Sequence, residues 1–321
     1  MKNIKIIKNR SDIGAGTRGS DMGIDAMEIA AINEENHYFN QFEFFDIKTE
    51  NEAIYKEVNT PKAKRIKNIV SVCTRLSNAV KDSLQAEEFP LVLSGDHSSA
   101  LGTISGVKNA FPEKKVGVVW IDAHADIHSP FTTPSGNVHG MPLAAALAED
   151  NFDRQINEPN ADTIAQWDAM KNIGGIVPKV YADDVVYFGV RDTEEPEDYI
   201  IEKLGIKNYT VEEMRYRGFR KCLEEAVDRL KDCDLIYISF DVDSMDCDII
   251  SKGTGTPVSR GFDQFEIKDI IAAFVETNKV ACFEVVEVNP TLDTENKMAH
   301  AAFDVLHDIT EKVKETLVLV E

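Results

Sequence analysis

The feature that most constrains this chain is a repeated step: a short apolar run that stops abruptly at a cluster of Asp, His or Glu. Leu91–Leu93 leads into Ser94-Gly95-Asp96-His97-Ser98, and Val116–Ile121 into Asp122-Ala123-His124-Ala125-Asp126. Leu235–Phe240 leads into Asp241-Val242-Asp243 with Asp246 close behind, and Val280–Val288 carries Glu287-Val288-Asn289-Pro290 at its end. Ile4–Ile7, Phe42–Ile47 and Val185–Phe188 are further Val-, Ile- and Phe-rich runs that read as strands. Between them lie amphipathic stretches. The clearest puts Ile66, Ile69, Cys73, Leu76, Val80 and Leu84 on one helical face, and others run through Cys222–Leu230, Ile267–Val275 and Ala301–Val313. Strands alternating with helices predict an α/β fold, with a mostly parallel central sheet covered by helices on both faces. No repeat, low-complexity tract or Pro/Ser-rich linker divides the chain, so one domain over residues 1–321 is expected. The least patterned part, Asn151–Gly175, reads as a polar insertion with one helical piece at Ala161–Met170.

In an open α/β sheet, ligands bind beyond the carboxyl ends of the strands. Four polar clusters delivered to that rim would converge on one crevice. In an extended D-x-H-x-D segment alternate residues share a face, which sends Asp122, His124 and Asp126 to one side. Asp241 and Asp243 are likewise two apart. With His97 they make two imidazoles and four carboxylates, too many for one zinc ion. Such a set suits two oxygen-preferring divalent ions that share bridging carboxylates, with Mn²⁺ favoured. Each motif alone reads equally well as an ordinary turn. Together they do not, because acids gathered after apolar strands and left uncompensated would repel at high cost.

The segment Ser129–Pro142 follows the second cluster. Its Pro and Gly content marks a turn-rich loop, and its position places Ser135, Asn137 and His139 where a substrate would be gripped. Gly14-Ala15-Gly16-Thr17-Arg18-Gly19 matches a dinucleotide-binding pattern, yet Asn9–Ile13 separates it from the first strand where a Rossmann turn would be tight. These glycines are expected to form a loop at the same crevice instead.

Composition excludes several function classes. A formal charge of −21 opposes binding to nucleic acid or to an anionic membrane. No stretch reaches the length of a bilayer span. The first residues are interrupted by charge too often for a signal peptide. Five cysteines, an odd number with no CxxC spacing, fit reduced, packed thiols, so the expected address is the cytoplasm.

Taken in order, Gly-Asp-His-Ser, Asp-Ala-His-x-Asp, Ser-Gly-Asn-x-His-Gly, Ser-Phe-Asp-x-Asp-x-x-Asp, Gly-Thr-Gly-Thr-Pro and Glu-Val-Asn-Pro resemble the ureohydrolase (arginase/agmatinase) family, and within it the arginase branch. The resemblance runs from about Leu91 to the C-terminus, with a weaker echo in the glycine loop. It implies a three-layer α/β/α fold, a homo-trimer or homo-hexamer, and two Mn²⁺ per subunit. One ion would be held by His97, Asp122, Asp126 and Asp241, the other by Asp122, His124, Asp241 and Asp243, so that Asp122 and Asp241 bridge. The implied reaction is attack of a bridging hydroxide on the guanidinium of L-arginine, giving L-ornithine and urea. Asp126 would relay a proton to the leaving amine, Glu287 would orient the guanidinium, and His139 would exchange protons with solvent. Ser135 and Asn137 match groups that meet the substrate α-carboxylate, while Thr256 and Asp192 match residues that line or support the cleft.

Three positions depart from the arginase pattern. His128 stands where an Asn usually contacts the carboxylate, and Glu194 stands where a shorter Asp commonly holds the α-amino group. Cys247 replaces a Pro after Asp246, with one extra residue before Thr256. The first two loosen the substrate assignment and leave open another ureohydrolase, such as a formimidoylglutamase, an agmatinase or another guanidino-compound hydrolase. A silent, metal-stabilised binding subunit is disfavoured because all six ligand candidates, His139 and Glu287 are present.

Overall fold

A computed structural model describes residues 3–318. Its centre is a sheet of eight strands: β1 (Ile4–Asn9), β2 (Glu43–Asp46), β3 (Phe89–Ser94), β4 (Val116–Ile121), β5 (Val185–Phe188), β6 (Lys207–Tyr209), β7 (Leu235–Asp241) and β8 (Val280–Val286). Every pairing is parallel, and the spatial order is β2-β1-β3-β8-β7-β4-β5-β6. The order carries the functional consequence. The chain steps from β1 out to the edge at β2 and back inside to β3, jumps across to run outward through β4, β5 and β6, and returns to insert β7 and β8 in the gap. The four strands that end in polar clusters are therefore the contiguous central four, β3-β8-β7-β4. Their carboxyl ends flank the switch in strand order, where an open α/β sheet forms its crevice.

Among the described residues ten α-helices connect or follow the strands: α1 (Gly23–Asn33), α2 (Ile66–Gln85), α3 (Ala100–Ala110), α4 (Pro142–Leu147), α5 (Ala161–Lys171), α6 (Glu195–Leu204), α7 (Val211–Arg217), α8 (Phe219–Arg229), α9 (Gln264–Val275) and α10 (Lys297–Val318). They form two layers. Ile6, Leu91, Leu93, Val119 and Ile121 pack in one core with α1, α8, α9 and α10, whereas their neighbours Ile7, Val92, Val118 and Trp120 pack in another with α2 to α6. Alternation along each strand thus feeds both cores, as a sheet covered on both faces requires. At β2 the cover stops. All four of its residues are exposed, with Phe44 and Phe45 each more than half so, and the strand is shorter than the Phe42–Ile47 run because it pairs on one side only.

The helical face predicted for α2 is buried from Ile66 to Val80, while Leu84, at the last turn, is half-buried. Helix α3 has no polar face over its first two turns, where every residue from Ala100 to Val107 is buried. It lies against α2 so closely that a side chain on Gly106 would come within 2.7 Å of the Ser77 carbonyl. None of the helices among the described residues is long and apolar enough to cross a membrane.

Candidate metal centre

His97 is the first residue past the β3 turn, where Asp96 accepts a hydrogen bond from the Ser98 N–H and fixes the loop. Its imidazole stacks on Trp120 at 4.2 Å between ring centroids. Its Nε2 lies 2.7 Å from Ser239 Oγ, and its Nδ1 lies 3.0, 2.9 and 3.2 Å from carboxylate oxygens of Asp122, Asp126 and Asp241. With Nε2–H donating to Ser239, Nδ1 presents a lone pair to the three acids, the tautomer a metal ligand needs. A second group joins it: His124 Nδ1 lies 3.0 Å from Asp243 Oδ2 and 3.5 Å from Asp122 Oδ1. The two sets, His97-Asp122-Asp126 and Asp122-His124-Asp243, share Asp122.

The six predicted ligand candidates therefore meet, but not by the alternation that the sequence suggests. Past Ile121 the chain bends. The Asp122 carboxylate accepts the His124 N–H at 2.7 Å, and Asp126 adopts a left-handed backbone at φ 49°. At β7 the Asp241 carboxylate likewise accepts the Asp243 N–H at 2.9 Å across a short helical turn. Local side-chain-to-backbone bonds replace the extended conformation and curl each motif around a common centre. Glu287 also has a left-handed backbone, at φ 67°. Non-glycine residues held there cost energy and concentrate at functional sites.

The electrostatics fit a cation pair. Burial, and then the charge of Asp122, hold Asp126 up at about 6. Burial followed by neighbouring carboxylates raises Asp241, and burial also raises Asp243. Asp122 moves the other way: burial opposes its charge, but the neighbouring imidazoles of His124 and His97 outweigh it. His97 and His124 are raised against their burial by these same acids. His97 Nδ1 is buried and makes no hydrogen bond of proper geometry despite three carboxylates in reach. A lone pair without a proton donor, facing mutually repelling acids, is the donor set of a metal centre.

Glu287 stands beside the cluster. Its Oε1 accepts the His97 N–H at 3.0 Å and faces His139 Nδ1 at 3.2 Å, while its Oε2 carries no hydrogen bond among the described residues. Burial pulls His139 down, but the pairing with Glu287 dominates and brings it to about 9. Thr256 Oγ1 donates to Asp243 Oδ2 at 2.9 Å, and Asp192, mostly exposed, lies 3.6 Å from His124 Nε2. The glycine loop reaches the same crevice, since the His139 N–H donates to the Gly14 carbonyl and the Gly14 N–H to Asp96.

The remaining predicted residues lie apart from the six. Ser135 is exposed and its Oγ accepts the Asn137 N–H at 3.1 Å, while Asn137 Oδ1 accepts from Lys64 Nζ at 3.0 Å. The turn between them needs glycine: Gly136 has φ 77°, and a Cβ there would sit 2.0 Å from the Pro61 carbonyl. His128 is buried, and its Nε2 lies 3.0 Å from Glu194 and 3.5 Å from Glu197, so the two departures from the arginase pattern are partners of one another. Cys247 is buried in a loop held by Arg191, whose guanidinium donates to the carbonyls of Asp243, Val258 and Ser259.

Sequence reasoning missed the residues beneath the cluster. Trp120 donates its indole N–H to Asp122 at 2.9 Å, and Ser239 holds His97. Each lies two residues before an aspartate on its strand and so on the same face, a signal that period-2 reading contains. Glu197 ties the Ile127 N–H to its carboxylate at 3.3 Å, a contact 70 residues apart that no local pattern announces.

An all-parallel sheet with paired His/Asp sets at its strand-order switch is the architecture of an α/β protein whose crevice is furnished with metal-ligating side chains. Comparison with known proteins narrows it. The arginase family model matches residues 2–310. The chain is 36% identical to an arginase of Brevibacillus brevis over 311 residues, 96% of this chain and 97% of that one. A solved structure of arginase from Bacillus caldovelox superposes with a TM-score of 0.80 at 35% identity, covering 95% and 97% of the two chains. The chain belongs to the arginase family, whose members carry a binuclear metal centre.

Proposed function

We propose that this protein is an arginase, hydrolysing L-arginine with water to L-ornithine and urea. The observation that carries the reading is the convergence of His97, Asp122, His124, Asp126, Asp241 and Asp243 next to a buried glutamate with one free oxygen. Two Mn²⁺ ions per subunit would be held by those six residues. Held there, the ions would supply Lewis acidity and make water at the site more acidic.

The chain's own groups do the rest. Glu287 Oε2 accepts the guanidinium N–H groups and turns the electrophilic carbon toward the cluster. Asp126, which lies against His97 in the cluster, accepts a proton from the attacking water and returns it to the departing amine. His139, bonded to Glu287 and partly exposed, passes protons to solvent. Ser135 and Asn137 receive the α-carboxylate, and Glu194 with Asp192 faces the α-amino group. The whole chain acts as one catalytic domain, in the cytoplasm, as a homo-trimer or homo-hexamer.

The test is kcat/KM for arginine and agmatine on Mn²⁺-loaded protein. Agmatine lacks the carboxylate, and each lost hydrogen bond to a charged group is worth about 1.5–3 kcal/mol, so arginine should be favoured roughly ten- to a hundredfold. Equal efficiency on the two would point instead to another ureohydrolase with a different guanidino or formimino substrate. Absence of urea release from any guanidino compound would leave a binding subunit.

A further inference from the structure

Beside the Ser135–Asn137 turn lies a cavity of about 340 Å³, between the glycine loop and the segment that enters α2. Its charged wall residues are Arg18, Lys64 and Arg65, and no acidic side chain lines it. This is unusual in a chain with 56 acidic and 35 basic residues, where a cation normally finds a carboxylate. Arg18 is neutralised by the buried Asp12 and by Asp21, so the uncompensated charge of the wall is that of Lys64 and Arg65. Among the described residues, Lys64 bonds only to the neutral amide of Asn137, at 3.0 Å. Among the described residues Arg65 pairs with no carboxylate, and its Nε is buried without a hydrogen-bond partner there. Its backbone is left-handed at φ 58°, a conformation that needs support from its surroundings. Burial, and then the charge of Arg18, hold Arg65 below its ordinary value.

We propose that this cavity is a binding site for a small organic oxyanion, a carboxylate or phosphate group on a short apolar stem. An oxyanion placed there satisfies the Arg65 fork and the Lys64 ammonium together, the charge-assisted pairing in which guanidinium groups are strongest. Ile54 and Val58 supply an apolar side for the stem. The volume also fits, since small-molecule sites begin at roughly 300 Å³ and a bare inorganic ion would leave most of this space empty. The site is separate from the His/Asp cluster and touches the substrate-facing loop through Asn137 alone.

The experiment is calorimetric titration of Mn²⁺-loaded protein with succinate and, separately, sulfate, at constant ionic strength set by chloride. One saturable site per chain is expected. It should weaken about tenfold or more in both Arg65→Gln and Lys64→Gln, with metal content and melting temperature held near wild type. Should Arg65→Gln fold poorly, Lys64→Gln, a change at a partly exposed side chain, decides. Binding of succinate but not sulfate assigns a carboxylate ligand, and the reverse assigns a phosphate-type group. Lack of saturable binding by either anion, or binding that survives both substitutions, overturns the proposal. Loss of oligomer mass in the variants without any anion binding does so too, and assigns the cations to a contact between copies of the chain.

Discussion

His97 and Asp122 are each 1% exposed and sit directly on strand ends, whereas Glu194, at the outer side of the same crevice, is 54% exposed and hangs on a loop that starts a helix. The inner region is fixed three times over. Strand register places Asp122 and Asp241 side by side, because their predecessors Ile121 and Phe240 are paired. Trp120, Ser239 and Thr256 then orient the ring or carboxylate of their neighbours. The outer region depends on side chains holding side chains: Lys64 on Asn137, and Glu194 and Glu197 on His128. In the proposed arginase, metal chemistry would thus rest on the rigid part and selection among substrates on the adjustable part. The departures from the arginase pattern at His128 and Glu194 fall in the second region, where exchange leaves the first untouched.

Substitutions should therefore separate the regions by the size and kind of their effect. Asp241→Ala is expected to be the most damaging, with loss of bound metal and a fall in urea release of about a thousandfold or more, since it removes a carboxylate 3.2 Å from His97 that is proposed to hold both ions. Metal analysis beside a urea assay checks this, and normal metal content in the variant would break the distinction at its strongest point. His139→Ala stands at the boundary. It should leave metal content near normal and lower kcat by roughly tenfold or more, as for a lost proton-transfer group. Metal loss here would move His139 into the inner region. His128→Asn should do least: the shorter side chain gives up the bond to Glu194, raising the arginine KM severalfold, equivalent to about 1 kcal/mol, with kcat within about twofold. A matching fall in kcat and metal would show that the outer region is not independent.

The same contrast explains what was legible in the sequence. The extents of Val116–Ile121 and Val185–Phe188 were readable because both are strands paired on each side, whose apolar runs stop at a polar residue or a glycine. Lys207–Tyr209 was not, being a three-residue edge strand with no apolar run of its own. Helix α3 escaped because burial all round leaves no polar face and so no period. The ligand candidates were visible as residue types at strand ends, but the left-handed turn at Asp126 was not, because it arises from packing rather than from a glycine. The pairing of His128 with Glu194 spans 66 residues and joins two positions that each looked like an isolated exception.

The central claim is that one inner cluster holds two divalent ions and that both are needed for turnover. Metal-stripped protein titrated with Mn²⁺, with bound metal and urea release from arginine measured on the same samples, tests it directly. The account predicts that activity rises to its plateau only as occupancy approaches two ions per chain, whereas full activity at one ion per chain or fewer would contradict it.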